Sequence, residues 1–129
     1  MIRSPRLFLF AAFLVAFPIP AAASDTPAPS SVTVAGSLQS ELGCSEDWQP
    51  ACAATHLAFD TTDGKWHRTW TLPAGDYEWK IAVNDNWDPV NYGANGGGDN
   101  IKLTVPAGGG SYRFTFDQVT HVPTVEQVG

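Results

Sequence analysis

Apolar and polar residues alternate along most of this chain with a period of two, the spacing that gives a strand one face toward a core and one toward water. "VTVAG" (32–36) reads as a first strand and "HLAFD" (56–60) as a second. Asp63-Gly64 in "TTDGK" is a hairpin signal, and "WHRTWTL" (66–72) returns from it with Trp66, Trp70 and Leu72 in one phase. "PAG" turns the chain into "DYEWKIAVN" (76–84), where Tyr77, Trp79, Ile81 and Val83 face one way and Glu78, Lys80, Ala82 and Asn84 the other. After a stretch of Asn, Asp and Gly come "NIKLTV" (100–105), the turn "PAGGG", and "SYRFTFD" (111–117), in which Tyr112, Phe114 and Phe116 share a face. "HVPTV" (121–125) adds an edge strand, where Pro123 is tolerated. From Val32 onward no helical stripe interrupts the pattern. The expectation is an all-β fold, an antiparallel β-sandwich of six to eight short strands.

The first 23 residues follow another rule. Arg3 and Arg6 precede an apolar run from Leu7 to Phe17, and small residues end at Ala21, Ala22 and Ala23. That is the layout of a signal peptide, and the run is too short to span a bilayer, which takes about 20 apolar residues. The organisation expected is a signal peptide over 1–23, a disordered Pro/Ser-rich lead-in over 24–31, the sandwich module over 32–123 and a tail over 124–129. The protein is expected to be secreted or periplasmic and monomeric, with no membrane association once the leader is removed.

Loss of Arg3 and Arg6 leaves five basic against thirteen acidic residues, a formal charge of −8. Such a chain repels nucleic acid and anionic lipid at long range, so neither is an expected partner. Cys44 and Cys52 in "GCSEDWQPAC" read as a disulfide in an exported chain. A metal site there would need further ligands; His56 is near in sequence and no fourth is evident. No cofactor and no metal is expected. The Asp/Asn-rich stretch lacks the spacing of an EF-hand, and "GANGGGDN" lacks the Lys-Ser/Thr and the helix of a phosphate cradle.

Five tryptophans remain to be placed. Trp70 and Trp79 alternate in step with Leu72, Ile81 and Val83 and belong to the core, and Trp66 to the core or its rim. Trp48 and Trp87 do not follow strand phase. Trp48 stands between Asp47 and Gln49 inside the cysteine loop, and Trp87 follows the turn-forming Asn84-Asp85-Asn86. Either ring could cap an open end of the sandwich. The sharper reading makes them a binding surface for sugar, whose C–H face settles on an indole while fixed polar groups meet the hydroxyls. Lys80, on the polar phase of its strand, and the amides of Asn91, Asn95 and Asn100 could supply those groups. Tyr92, in the same polar segment as Trp87, is grouped with them. His56, His67 and His121 are scattered and take structural roles by default.

"VTVAGSLQSELGCSEDWQPACAATHLAFD", "WTLPAGDYEWKIAVNDNWDPVNYGANGGGDNIKLTV" and "YRFTFD" together resemble the accessory β-sandwich module of bacterial pullulanases and amylopullulanases, over about residues 32–122. The resemblance implies an early-set immunoglobulin-like fold. "AGDYEWK" followed by "NDNW" is also similar to the glycogen-binding domain of AMP-activated kinase β subunits and to other starch-binding modules. There a strand Lys and a Trp past the turn hold α-glucan, with a second Trp opposite and an Asn opening the next strand. Matched by motif, these are Lys80, Trp87, Trp48 and Asn100, with Asp99 an alternative to the last.

The function expected is therefore non-catalytic binding of α-glucan polysaccharide or maltooligosaccharide. Two other classes compete with it. A protein-interaction or structural domain accessory to an amylolytic enzyme would use the same fold. A small hydrolase would need a working carboxylate pair, but Asp60, Asp63, Asp85 and Asp88 all sit in turn sequences, where backbone hydrogen bonding accounts for them.

Overall fold

The computed structural model describes residues 27–129. The signal-peptide reading and residues 24–26 of the lead-in lie outside the described residues. Eight strands form: β1 (Val32–Gly36), β2 (Ala58–Asp60), β3 (Lys65–Leu72), β4 (Gly75–Val83), β5 (Asn86–Tyr92), β6 (Ile101–Val105), β7 (Gly110–Asp117) and β8 (Val122–Gln127). All pairings are antiparallel. One sheet runs β2-β3-β7-β8; the other is built on β4, which pairs with β1, β5 and β6.

The long strand β4 organises the second sheet. Trp79 pairs with Gly36 of β1 and also with Ile101 of β6, and Ile81 pairs with Val34 of β1 and also with Tyr92 of β5. So β1 lies along one edge of β4, and β6 and β5 share successive lengths of the other. The period-two reading of β4 holds on the core side, where Tyr77, Trp79 and Ile81 are buried. The edge of Trp79 meets Phe114 of β7 across the sandwich, 4.9 Å between centroids at 78°. Tyr112, Phe114 and Phe116 of β7 are buried as their shared phase requires. This immunoglobulin-like sandwich follows from strands that each have one apolar face and no other way to cover it.

Three sequence expectations change. β5 lies inside the stretch read as loop. Its Asn, Asp and Pro residues have low strand propensity, but the vacant edge of β4 supplies the ladder. β8 runs on to Gln127, and Val128 N–H donates to Ser111 O at 2.8 Å, so most of the residues read as a tail complete the first sheet. Trp70 is only half-buried; its ring meets Phe114 at 5.4 Å, and the Arg68 guanidinium lies 5.2 Å from its centroid.

Candidate functional site

The β4–β5 connection is a two-residue turn: Val83 pairs with Asn86, and Asn84 and Asp85 take φ of 58° and 59°. Asn and Asp are the non-glycine residues that tolerate this left-handed region, and a turn with both central φ positive suits the natural twist of a hairpin. The hairpin carries Trp87 as the second residue of β5. Trp87 therefore lies within β5, in the register break between the Asn86–Val83 and Asn91–Ala82 pairs. Asn86, Asp88, Pro89, Val90 and Tyr92 border a cavity of about 370 Å³ that Pro27–Pro29 and His121 also line, while Asn91, paired with Ala82, belongs to the outer side with Lys80. The Asn91 side-chain amide donates to Trp87 O at 3.1 Å.

Trp48 arrives from the opposite edge of the same sheet. Between β1 and β2 the chain makes a long excursion with 3-10 turns at Gln39–Leu42 and Ala53–Thr55, closed by the Cys44–Cys52 disulfide. The fully buried side chain of Gln39 braces it. Its Oε1 accepts from Gly36 N–H at 3.2 Å and Gln49 N–H at 2.7 Å; its Nε2 donates to Gln49 O at 2.8 Å and Thr55 Oγ1 at 3.0 Å. Trp48 N–H donates to Gly36 O at 3.2 Å, which fixes the residue over the end of β1 with φ at 59°. Gly36 is required by close approach: a Cβ there would lie 2.1 Å from Glu78 O.

These two constructions bring the indoles together. Their centroids are 6.4 Å apart, the planes inclined at 41°, and both side chains are half-buried. Lys80, whose strand partner Ala35 adjoins Gly36, stands on the outer face of the same sheet, and its ammonium donates to Gly98 O at 2.8 Å. That contact ties it to the glycine-rich loop after β5. The loop is drawn in so tightly that a Cβ on Gly93 would fall 1.8 Å from Asp99 O. Asn100 immediately precedes the end of the β4–β6 ladder and donates to Glu78 Oε1 at 3.0 Å. Trp48 and Trp87 thus meet each other, and Lys80 and Asn100 are held by Gly98 and Glu78 along the same sheet.

Tyr92 does not join them. It pairs with the core residue Ile81 and stacks on His121 (4.6 Å, 10°) and Phe116 (5.5 Å, 28°), facing the cavity on the inner side of β5. The ladder accounts for the separation: Tyr92 pairs with Ile81 on the buried phase of β4, whereas Trp87 has no partner on β4 and its ring meets Trp48. The residue that sequence reasoning missed is Gln39, because a glutamine three residues after a strand carries no signal until the fold encloses it.

Among the described residues, Asp60, Asp63 and His67 have ligand atoms within 4.8 Å of one another. Each is already engaged by the β2–β3 turn: Asp60 accepts from Thr62, Asp63 accepts from Lys65 N–H, and His67 bonds both Asp63 and Thr115. Hydrogen bonding from the Thr62 hydroxyl and amide holds the Asp60 carboxyl below its usual range, and His67 does the same for Asp63.

Residues 31–123 match the family profile of the Pullulanase X25 domain. The chain is 36% identical over 88 residues to an amylopullulanase of Thermoanaerobacterium saccharolyticum, covering 67% of this chain and 7% of that protein. To an amylopullulanase of Thermoanaerobacterium thermosulfurigenes it is 35% identical, covering 67% and 5%. Among solved structures, pullulanase from Bacillus acidopullulyticus superposes with a TM-score of 0.66 at 32% identity, over 84% of this chain and 12% of that one. This chain thus corresponds to a small part of much longer relatives. With its two-sheet fold and the match over most of its length, it belongs to the pullulanase X25 domain family.

Proposed function

We propose that this domain is an exported, non-catalytic module that binds α-glucan (starch, glycogen, pullulan or maltooligosaccharide) on the outer side of the β4 sheet. The observation that carries the reading is the pair of half-buried indoles, 6.4 Å apart and inclined at 41°. Two inclined faces suit the curve of an α-1,4-linked chain, whereas a flat ribbon would favour coplanar rings. Lys80 uses one of its three N–H donors on Gly98, which leaves two for hydroxyls, and Asn100 retains an accepting oxygen.

The reading also fits the acids, since Asp60, Asp63 and Asp85 are occupied in turn and interstrand contacts and not paired across a cleft. The Cys44–Cys52 disulfide suits an oxidising compartment outside the cytoplasm. A shallow, wet site of this kind gives dissociation constants of about 10⁻³ to 10⁻⁵ M, because little binding energy remains after ligand and loops are ordered.

Pull-down on insoluble starch, with glycogen, pullulan and cellulose for comparison, tests it. Wild type should be retained on α-glucan and Trp87→Ala should pass through while keeping a denaturation midpoint near wild type. Equal retention of the two would remove the proposal and leave a protein-interaction domain as the better account. Maltooligosaccharide incubated with concentrated protein should be recovered intact.

A further inference from the structure

The two indoles come from segments almost forty residues apart, and aromatic contact alone does not fix the angle between them. The excursion that carries Trp48 is tied to the body of β4 through Ser37 and Glu78, and among the described residues one hydrogen bond joins it to the turn that leads into Trp87: His56 Nε2 donates to Asp85 Oδ1 at 2.8 Å. His56 closes the 3-10 turn that follows the disulfide loop, and Asp85 is the second turn residue, two positions before Trp87.

Both ends of this contact are anchored. The His56 backbone bridges to Thr33 of β1, its N–H donates to Ala53 O at 3.2 Å, and its carbonyl accepts from Arg68 at 3.2 Å. On the other side, Ser31 Oγ donates to the same Asp85 oxygen at 3.2 Å. Ser30 donates to Asn84 Oδ1 through its N–H (2.7 Å) and its hydroxyl (2.9 Å), and Asn84 N–H donates to Ser31 O at 2.9 Å. The end of the stretch read as a free tether is therefore fastened to the turn.

We infer that His56 and Asp85 are positioning residues of the site: they clamp the β4–β5 turn to the Trp48 excursion and so set the mutual placement of Trp48 and Trp87. The use of that placement for α-glucan rests on the function proposed above; the clamp itself does not. The side chains are 31% and 46% exposed, so their pairing contributes little to global stability, as solvated pairs do. Its consequence is geometric. An accepting carboxylate requires only that Nε2 carry a proton, which neutral imidazole can supply.

The test measures ring geometry and binding separately. Two indoles this close give an exciton couplet in far-ultraviolet circular dichroism, identified by its disappearance in Trp48→Phe and in Trp87→Phe. His56→Ala and Asp85→Ala should each shrink the couplet, with thermal midpoints close to wild type. Asp85→Gly is the discriminating variant. Glycine relieves the left-handed φ, so this protein folds at least as well, yet its couplet should shrink as in the alanine variant. His56→Gln, which offers an N–H to Asp85, should restore most of it.

Maltoheptaose titrated into the same proteins should bind about five-fold more weakly to His56→Ala and Asp85→Ala, and the double variant should be no worse than either, as expected for two partners of one contact. An unchanged couplet in Asp85→Gly and His56→Ala overturns the clamp. A couplet that falls in those variants while wild type shows no glucan affinity supports the clamp and removes the proposed function.

Discussion

The side-chain amide of Gln39 has two donors and two accepting positions, and the fold uses all four, within 3.2 Å, on Gly36, Gln49 and Thr55. Leucine would fill a similar volume and leave several buried backbone groups unpaired, each costing about 1–3 kcal/mol. Gln39→Leu is expected to lose at least about 3 kcal/mol in urea denaturation, a loss that combines with weaker glucan binding because Trp48 loses its brace. Tryptophan separates the two roles at the same scale. Trp79 is fully buried against Phe114, so Trp79→Ala should cost about 3–5 kcal/mol, whereas Trp87→Ala should leave the denaturation midpoint near wild type and remove binding. The burial of Trp79 was legible because its phase matches Ile81 and Val83. The brace at Gln39 was not, because nothing local distinguishes a glutamine that will be enclosed from one that will meet water.

Among the elements, the disulfide excursion and the β2–β3 hairpin respond to different conditions. Cys44 and Cys52 are eight residues apart, and closing so short a loop restricts the unfolded chain by about 2–3 kcal/mol in the chain-entropy account. Reduction should lower stability by about that amount and weaken glucan binding more than a distant destabilising change of equal size, with free thiols titrated alongside. The hairpin should respond to acid. Asp60 and Asp63 have carboxyls held below their usual range, by Thr62 and by His67 respectively. A carboxyl depressed in the folded state adds stability that is present above the ordinary carboxylate pKa and is lost as pH falls through the folded value. Protection factors for amides across β2 and β3, taken relative to intrinsic exchange at each pH, should therefore fall below about pH 4, ahead of those in β4. Seven of the eight strands were readable from alternation and turn residues. β5 was not, since Asn86, Asp88, Pro89 and Asn91 are poor strand formers; the strand is anchored by the Asn84-Asp85 turn and by the pairing of Asn86, Asn91 and Tyr92 with β4.

For the molecule as a whole, a formal charge of −6 should be indifferent to a neutral sugar. Glucan affinity is expected to change less than about two-fold between low salt and about 0.5 M NaCl, where charges beyond a few ångströms are screened. A steep salt dependence would instead identify a charged partner. Alternation along single strands determined the two-sheet fold, the buried phase of β4 and β7, and the pairing of the cysteines in a short loop, because each depends on residues close together in sequence. Departure from strand phase put Trp48 and Trp87 forward, with Lys80 on the polar phase of β4, and the resemblance to starch-binding modules names the same three residues. Only the tertiary structure decided that Trp48 and Trp87 meet, that Tyr92 faces the other way, and that Gln39, His56 and Asp85 hold the arrangement. Those are distances between segments on opposite edges of β4, and a pattern of period two carries no information about what arrives from another part of the chain.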